Sequence, residues 1–197
     1  MSKIIFSAFI AAVVFLPCCS SSHTDLAISI NSDSVYYAST RNLKSNKIPD
    51  SVFNMLNLKS IHITGMDCDM GLHNNITPND SINCWMINEI PSEIKNLVRL
   101  DTLDISLATF DELPDQISTL KNLRYISLTD CNISNIDNLT LLTNLNQLLL
   151  YGGRVEQLPM NIGDLKNLKF LGLRGNLIHK AELERVKKAL PNCKVYY

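Results

Sequence analysis

Leu100-Asp101-Thr102-Leu103-Asp104-Ile105 and, 23 residues on, Leu123-Arg124-Tyr125-Ile126-Ser127-Leu128 are two copies of one phrase. Two more follow: Leu145-Asn146-Gln147-Leu148-Leu149-Leu150 after 22 residues, and Leu168-Lys169-Phe170-Leu171-Gly172-Leu173 after another 23. Each runs on to an apolar residue, Phe110, Ile133, Val155 or Ile178, and the first three continue into a second half. These halves are Leu113-Pro114 with Ile117 and Leu120, Ile136 with Leu139 and Leu142, and Leu158-Pro159 with Ile162 and Leu165. The last two apolar residues of each phrase lie two apart, as on one face of a strand, so the residues beside them face the other way. One copy cannot bury its own leucines. Stacked about 4.8 Å apart, successive copies close a shared interior, and the second half returns the chain along the outer side, where proline's preset φ and missing donor cost nothing.

A period in the twenties with this leucine spacing resembles the leucine-rich-repeat family. The resemblance implies an α/β solenoid, a short curved horseshoe of about six repeats with N- and C-terminal caps, over residues 33–197. Toward the N-terminus, Leu58, Ile61, Ile63 and Met66 begin a copy whose second half appears only at Ile90, Pro91, Ile94 and Leu97. Leu58 and Leu100 are 42 residues apart, so about 19 residues are inserted, at about 69–88. Val35, Ala38 and Thr40, followed by Ile48, Pro49, Val52 and Met55, are expected to form a degenerate first copy, because a terminal repeat lacks one neighbour. At the other end Leu183, Val186 and Leu190 recur at helical spacing, with Glu184 and Lys188 as an i,i+4 pair and Pro191 as the stop. Cys193, Val195 and Tyr197 then alternate like an edge strand, giving a C-terminal cap at about 179–197. Many members of the family carry an asparagine eight residues after the first leucine. Here the position holds Met66, Ala108, Cys131, Gly153 and Asn176, so most of that amide ladder is expected to be missing.

The first residues carry a second signal. Lys3 precedes the uncharged run Ile4 to Leu16, then Pro17, Cys18, Cys19 and three serines, the layout of a secretory signal peptide over residues 1–18. Thirteen residues rise only about 20 Å as a helix, short for a membrane span. Leu16-Pro17-Cys18-Cys19 resembles a bacterial lipobox, which implies lipidation at Cys19, with Cys18 as the alternative. Residues 19–32 are then a flexible tether, and the expected location is the cell envelope, anchored by lipid at the outer membrane, on either its periplasmic or its surface face. An ordinary secreted protein with incidental cysteines is the plainer alternative.

Charge and composition narrow the partners. A net charge of -1 without a basic stripe argues against nucleic acid, and 46% apolar residues suffice for a long core. In an exported chain Cys68 and Cys84, bracketing the insertion, are expected to form a disulfide; the alternatives are two free thiols or a metal site with Asp67, His73, Asp69 and Asp80, whose spacing matches no known ligand pattern. Cys131 and Cys193 are expected to be buried thiols. No cofactor motif is present.

Strand alternation sorts the exposed residues of the inner, concave side into columns: Ser60, Thr102, Tyr125, Gln147 and Phe170; His62, Asp104, Ser127, Leu149 and Gly172; Thr64, Ser106, Thr129, Tyr151 and Arg174. Tyr125, Leu149, Tyr151 and Phe170 should gather on the later repeats, with Arg174 beside them and Asp104 further along. Aromatic residues with an arginine have the composition of a protein-binding hot spot, and their faces also suit sugar rings. The plain alternative is scattered surface aromatics without a ligand. His62, Asp104 and Ser127 fall in one column, but the carboxylate lies between the other two, leaving His62 and Ser127 about 9.6 Å apart, so a hydrolase is disfavoured. The expected function is a non-enzymatic binding module for an envelope protein or extracellular ligand. An accessory subunit of an outer-membrane uptake or glycan-binding assembly is the second reading.

Overall fold

The computed structural model describes residues 34–43, 45–65 and 86–197. The signal peptide, the tether, Cys18, Cys19, Cys68, Cys84 and nearly all of the insertion lie outside the described residues. Among the described residues seven strands stand in chain order in one open parallel sheet: β1 (Val35–Ser39), β2 (Ser60–Thr64), β3 (Thr102–Ala108), β4 (Tyr125–Cys131), β5 (Gln147–Leu149), β6 (Phe170–Gly172) and β7 (Lys194–Tyr196). Between them the chain returns through single turns of 3-10 helix, Asp50–Asn54, Ser92–Asn96, Asp115–Thr119, Asp137–Leu141 and Ile162–Asp164.

The register is the one that the leucine phrases set. Leu103 pairs with Ile126, Ile126 with Leu148, and Leu148 with Leu171, and all four are fully buried. The second halves close the opposite wall, with Ile94, Leu97, Ile117, Leu120, Leu139, Ile162 and Leu165 equally buried. Proline opens several of these returns: the Pro49, Pro91, Pro114 and Pro159 carbonyls accept the amides of Val52, Ile94, Ile117 and Ile162 at 2.9–3.1 Å. An i to i+3 bond is what a short 3-10 turn offers. Leu107, Asp130, Gly152 and Gly175, all one position before the family's asparagine site, have φ between 52 and 79°. Each repeat from β3 to β6 therefore has a left-handed residue at or just past the end of its strand, a conformation that glycine takes freely and leucine only at a cost.

Amide ladders join the turns, chiefly at a place not expected. Asn122, Asn144 and Asn167, each just ahead of a first leucine, donate to the Val98, Lys121 and Thr143 carbonyls of the preceding repeat at 2.7–2.9 Å. At the family's usual position Asn176 donates to the Leu150 and Leu173 carbonyls and accepts from the Val155 amide. Cys131 replaces one rung with a weaker one, its thiol 3.5 Å from the Ile105 carbonyl.

Several expectations need correction. β1 pairs Tyr36 with Ile61 and Ala38 with Ile63, so the first copy is set two residues away from the alignment of Val35, Ala38 and Thr40. An even slip keeps the same residues inward, and Thr40 is still buried, its hydroxyl on the Gly65 carbonyl at 3.0 Å. Ile87 is fully buried and its carbonyl accepts the Thr109 amide, as Ile133 and Val155 accept from Arg154 and Leu177 one repeat on. Residues 87 and 88 therefore belong to the repeat, and the inserted residues end before them rather than at about 88. The cap helix α2 (Lys180–Ala189; α1 is the short Thr40–Leu43) buries Leu183 and Val186 as expected, but Glu184 pairs with Lys187, three residues on, instead of Lys188. Cys131 is buried, whereas Cys193 is partly exposed; both are free thiols.

Candidate functional site

Parallel pairing in unbroken register turns each column of the sequence into a row of neighbours across the sheet. The middle row runs Tyr37, His62, Asp104, Ser127, Leu149, Gly172 and Tyr196. Its ends, Tyr37 and Tyr196, come from the caps and lie outside the columns read from the repeats.

Asp104 stands toward one end of the face and Tyr151, Phe170 and Arg174 toward the other, with Tyr125 near enough to both Asp104 and Tyr151 to feel their charge. At the β1 to β4 end the Tyr37 ring stacks on His62 with centroids 4.6 Å apart, and His62 Nδ1 lies 3.3 Å from Asp104 Oδ2. Tyr125 is half-buried beside them, and its phenol is pushed up by burial first and by the Asp104 charge second. At the other end Tyr151, Arg174, Val195, Tyr196 and Tyr197 line an open depression of about 850 Å³. Phe170 backs it, stacked on Tyr196 with centroids 6.4 Å apart and with Lys194 Nζ 5.8 Å above its ring. Leu149 lies between the two ends, part-exposed on β5.

Glycine shapes the second end. A Cβ on Gly172 would stand 2.6 Å from the Tyr151 ring, so the ring occupies the space a side chain would take. β7 supplies the rest, since pairing Phe170 with Lys194 and Gly172 with Tyr196 carries the aromatic surface into the cap. The 24-residue step from Phe170 to Lys194 nearly continues the repeat period and was the available clue.

No family model matches the chain. Over 112 residues it is 29% identical to the adenylate cyclase of Schizosaccharomyces pombe, and over 92 residues 30% identical to the volume-regulated anion channel subunit LRRC8A of Rattus norvegicus. These alignments cover 56% and 45% of this chain but only 7% and 11% of those proteins. Among solved structures, 77% of the chain superposes on a leucine-rich-repeat protein of Leptospira interrogans, with a TM-score of 0.60 and 27% identity, covering 34% of that chain. A further superposition takes in 76% of the chain and 44% of an internalin of Listeria monocytogenes, with a TM-score of 0.54 and 20% identity. The fold is a leucine-rich-repeat solenoid.

In this leucine-rich-repeat framework the middle row offers no nucleophile with its base. His62 spends Nδ1 on Asp104, and Ser127, one strand beyond that carboxylate and 5% exposed, has its hydroxyl 3.4 Å from that of Thr129. A serine nucleophile needs the imidazole itself within hydrogen-bond reach. Among the described residues no set of three His, Cys, Asp or Glu side chains converges as a metal site, and no helix is long and apolar enough to cross a membrane. What the solenoid does present is a part-exposed sheet face, with Tyr37, His62 and Asp104 at one end and aromatic and cationic side chains at the other.

Proposed function

We propose that the protein is an exported, lipid-anchored leucine-rich-repeat module that recognises another protein across the open face of its sheet. The observation that carries this reading is the strand register, which sets Tyr125, Leu149 and Phe170, far apart in sequence, along one side of the sheet, with Tyr151 and Arg174 following β5 and β6 into one depression. Aromatic side chains with arginine supply large contact area and directional hydrogen bonds at little entropic cost, the usual make-up of interface anchors. The folds of the similar solved structures agree with a binding scaffold. The anchor is assigned to Cys19, with Cys18 as the alternative, from the sequence ahead of the solenoid. A bacterial envelope location follows from the anchor, and the exposed ring faces make a glycan the second kind of ligand.

Capture from solubilised envelope tests the face. A partner retained by the wild type and lost separately with Tyr125→Ala and Tyr151→Ala is the expected result; undiminished capture by both variants removes the face from the reading. Labelled fatty acid tests the anchor. Incorporation should vanish when Cys18 and Cys19 are both replaced by alanine, and label that persists eliminates lipidation at this pair.

A further inference from the structure

We propose that the depression lined by Tyr151, Arg174 and the Val195 to Tyr197 end of the chain is a carboxylate-binding pocket in which Arg174 takes the charge. The proposal rests on the recognition reading above and narrows it to one end of the face.

The aromatic walls are held from within the protein. Tyr151 fills the space over Gly172, Tyr196 stacks on Phe170, and the Tyr197 hydroxyl accepts from Lys187 Nζ at 3.0 Å, with the same ammonium 4.5 Å from the ring centroid. Rings fixed in advance lose little freedom when a ligand arrives. Arg174 differs from them. It is exposed and lines the same depression, and among the described residues its guanidinium makes no ion pair or hydrogen bond. The neighbouring lysines are engaged, Lys187 with Tyr197 and Glu184, and Lys194 over Phe170.

None of the residues that line the depression carries an acidic side chain. Asp104 lies three strands back from β6, about 14 Å at the usual strand spacing, and is taken by His62. Asp130, at the left-handed end of β4, packs against Gly152. The depression thus holds one guanidinium with no acidic side chain paired to it. Its planar fork matches a carboxylate edge to edge. The ring-lined walls require that the carboxylate be carried next to an apolar or aromatic group, as at a peptide's C-terminus or on an acidic side chain beside an aromatic residue.

Three probes separate these sources: N-acetyl-phenylalanine, its uncharged amide, and N-acetyl-glutamyl-phenylalaninamide. Each is titrated into the isotope-labelled full chain in detergent, with the Arg174 Nε resonance and the tyrosine ring resonances followed by NMR. An acid should bind at least about tenfold more tightly than the amide, and Arg174→Gln should erase that difference, as expected for a lost charge-assisted hydrogen bond. Preference for the first acid assigns a chain terminus, and preference for the second assigns an acidic side chain. Equal binding of the amide, or an acid preference that survives Arg174→Gln, overturns the carboxylate assignment while leaving an aromatic binding face in place. Absence of any shift at Tyr151 or Tyr196 also overturns it, and the Tyr125→Ala capture, which alters a residue outside the lining of the depression, then decides the wider reading by itself.

Discussion

Replacing Glu182 with alanine should loosen the C-terminal end of the solenoid by about 2–4 kcal/mol, because two side chains of α2 clamp both backbone groups of one residue in the preceding repeat. Glu182 Oε1 accepts the Leu158 amide at 2.7 Å, while Arg185 Nη2 donates to the Leu158 carbonyl at 2.7 Å. The two side chains also form a double bridge, Nε to Oε2 at 2.8 Å and Nη2 to Oε1 at 2.7 Å. Their side chains are only 15% and 28% exposed, so water is a poor substitute for either partner. A hydrogen bond to a charged group is worth roughly 1.5–3 kcal/mol net, and the alanine variant also strands the guanidinium. Arg185→Ala should cost a similar amount, and the double variant less than the sum, with a coupling of about 1–2 kcal/mol. The pH dependence has a definite sign. The Glu182 carboxyl is held below its ordinary value, first by the hydrogen bond from Arg185, against the opposing effect of burial, and further by the Leu158 amide and the Arg185 charge. Its contribution is therefore fully present above the unfolded carboxylate pKa, about 4.3, and fades as pH falls through the lower folded value. Glu182→Gln should flatten that acid limb. Urea unfolding between pH 3 and 7, joined to hydrogen exchange, reads both effects; since neighbouring repeats support one another, protection should fall first in α2 and β6 and last in β3 and β4. Alanine at 182 within about 0.5 kcal/mol of wild type, with the Leu158 amide equally protected, would refute the clamp.

Other outcomes follow from single contacts. Gly153→Ala would place a Cβ 2.8 Å from Asn176 Oδ1 and 3.2 Å from Ile133, and should cost about 1–3 kcal/mol in urea unfolding through the displaced ladder amide. Cys131→Asn meets the same crowding, because Ala108 stands beside position 131 as Gly153 stands beside Asn176 two repeats later; adding Ala108→Gly should recover stability beyond additivity, measured as a double-variant cycle. Gly172→Ala should leave the core intact yet push the Tyr151 ring from its place, seen as a changed tyrosine ring resonance and weaker binding in the depression. Burial raises the Cys131 and Cys193 thiols to about 11, so at pH 8 both should alkylate far more slowly than a free thiol, and Cys131, being buried, only as the solenoid opens.

The fold was legible because the solenoid asks for the same physical thing every 22 or 23 residues, an apolar pair two apart followed by an apolar return, and a repeated demand writes itself into sequence as period. Leu103, Ile126, Leu148 and Leu171 could be placed side by side from spacing alone. The caps lack that redundancy. Ala38 and Thr40 are both small enough to suit either of two even registers, and only the pairing of Tyr36 with Ile61 separates one from the other. The family's asparagine position points to Asn176 alone, whereas Asn122, Asn144 and Asn167, which recur at the repeat period too, carry most of the ladder. Leu107 and Asp130 conceal a left-handed turn that Gly152 and Gly175 announce.

The candidate site was less legible than the core for a different reason. A core position is defined by what it must exclude, and any leucine-like residue meets that condition wherever the period places one. Arg174 matters through the counter-ion its guanidinium lacks among the described side chains, and Tyr151 through the ring space that Gly172 leaves beside it. Neither property belongs to one residue, and both depend on β7 completing the depression with Val195, Tyr196 and Tyr197. Extending the register of Phe170 by one further step, across the cap helix, is the operation that would have brought Lys194 and Tyr196 alongside. The repeat thus specifies where outward residues stand, while the cap, which interrupts the repeat, determines which of them become walls of a site.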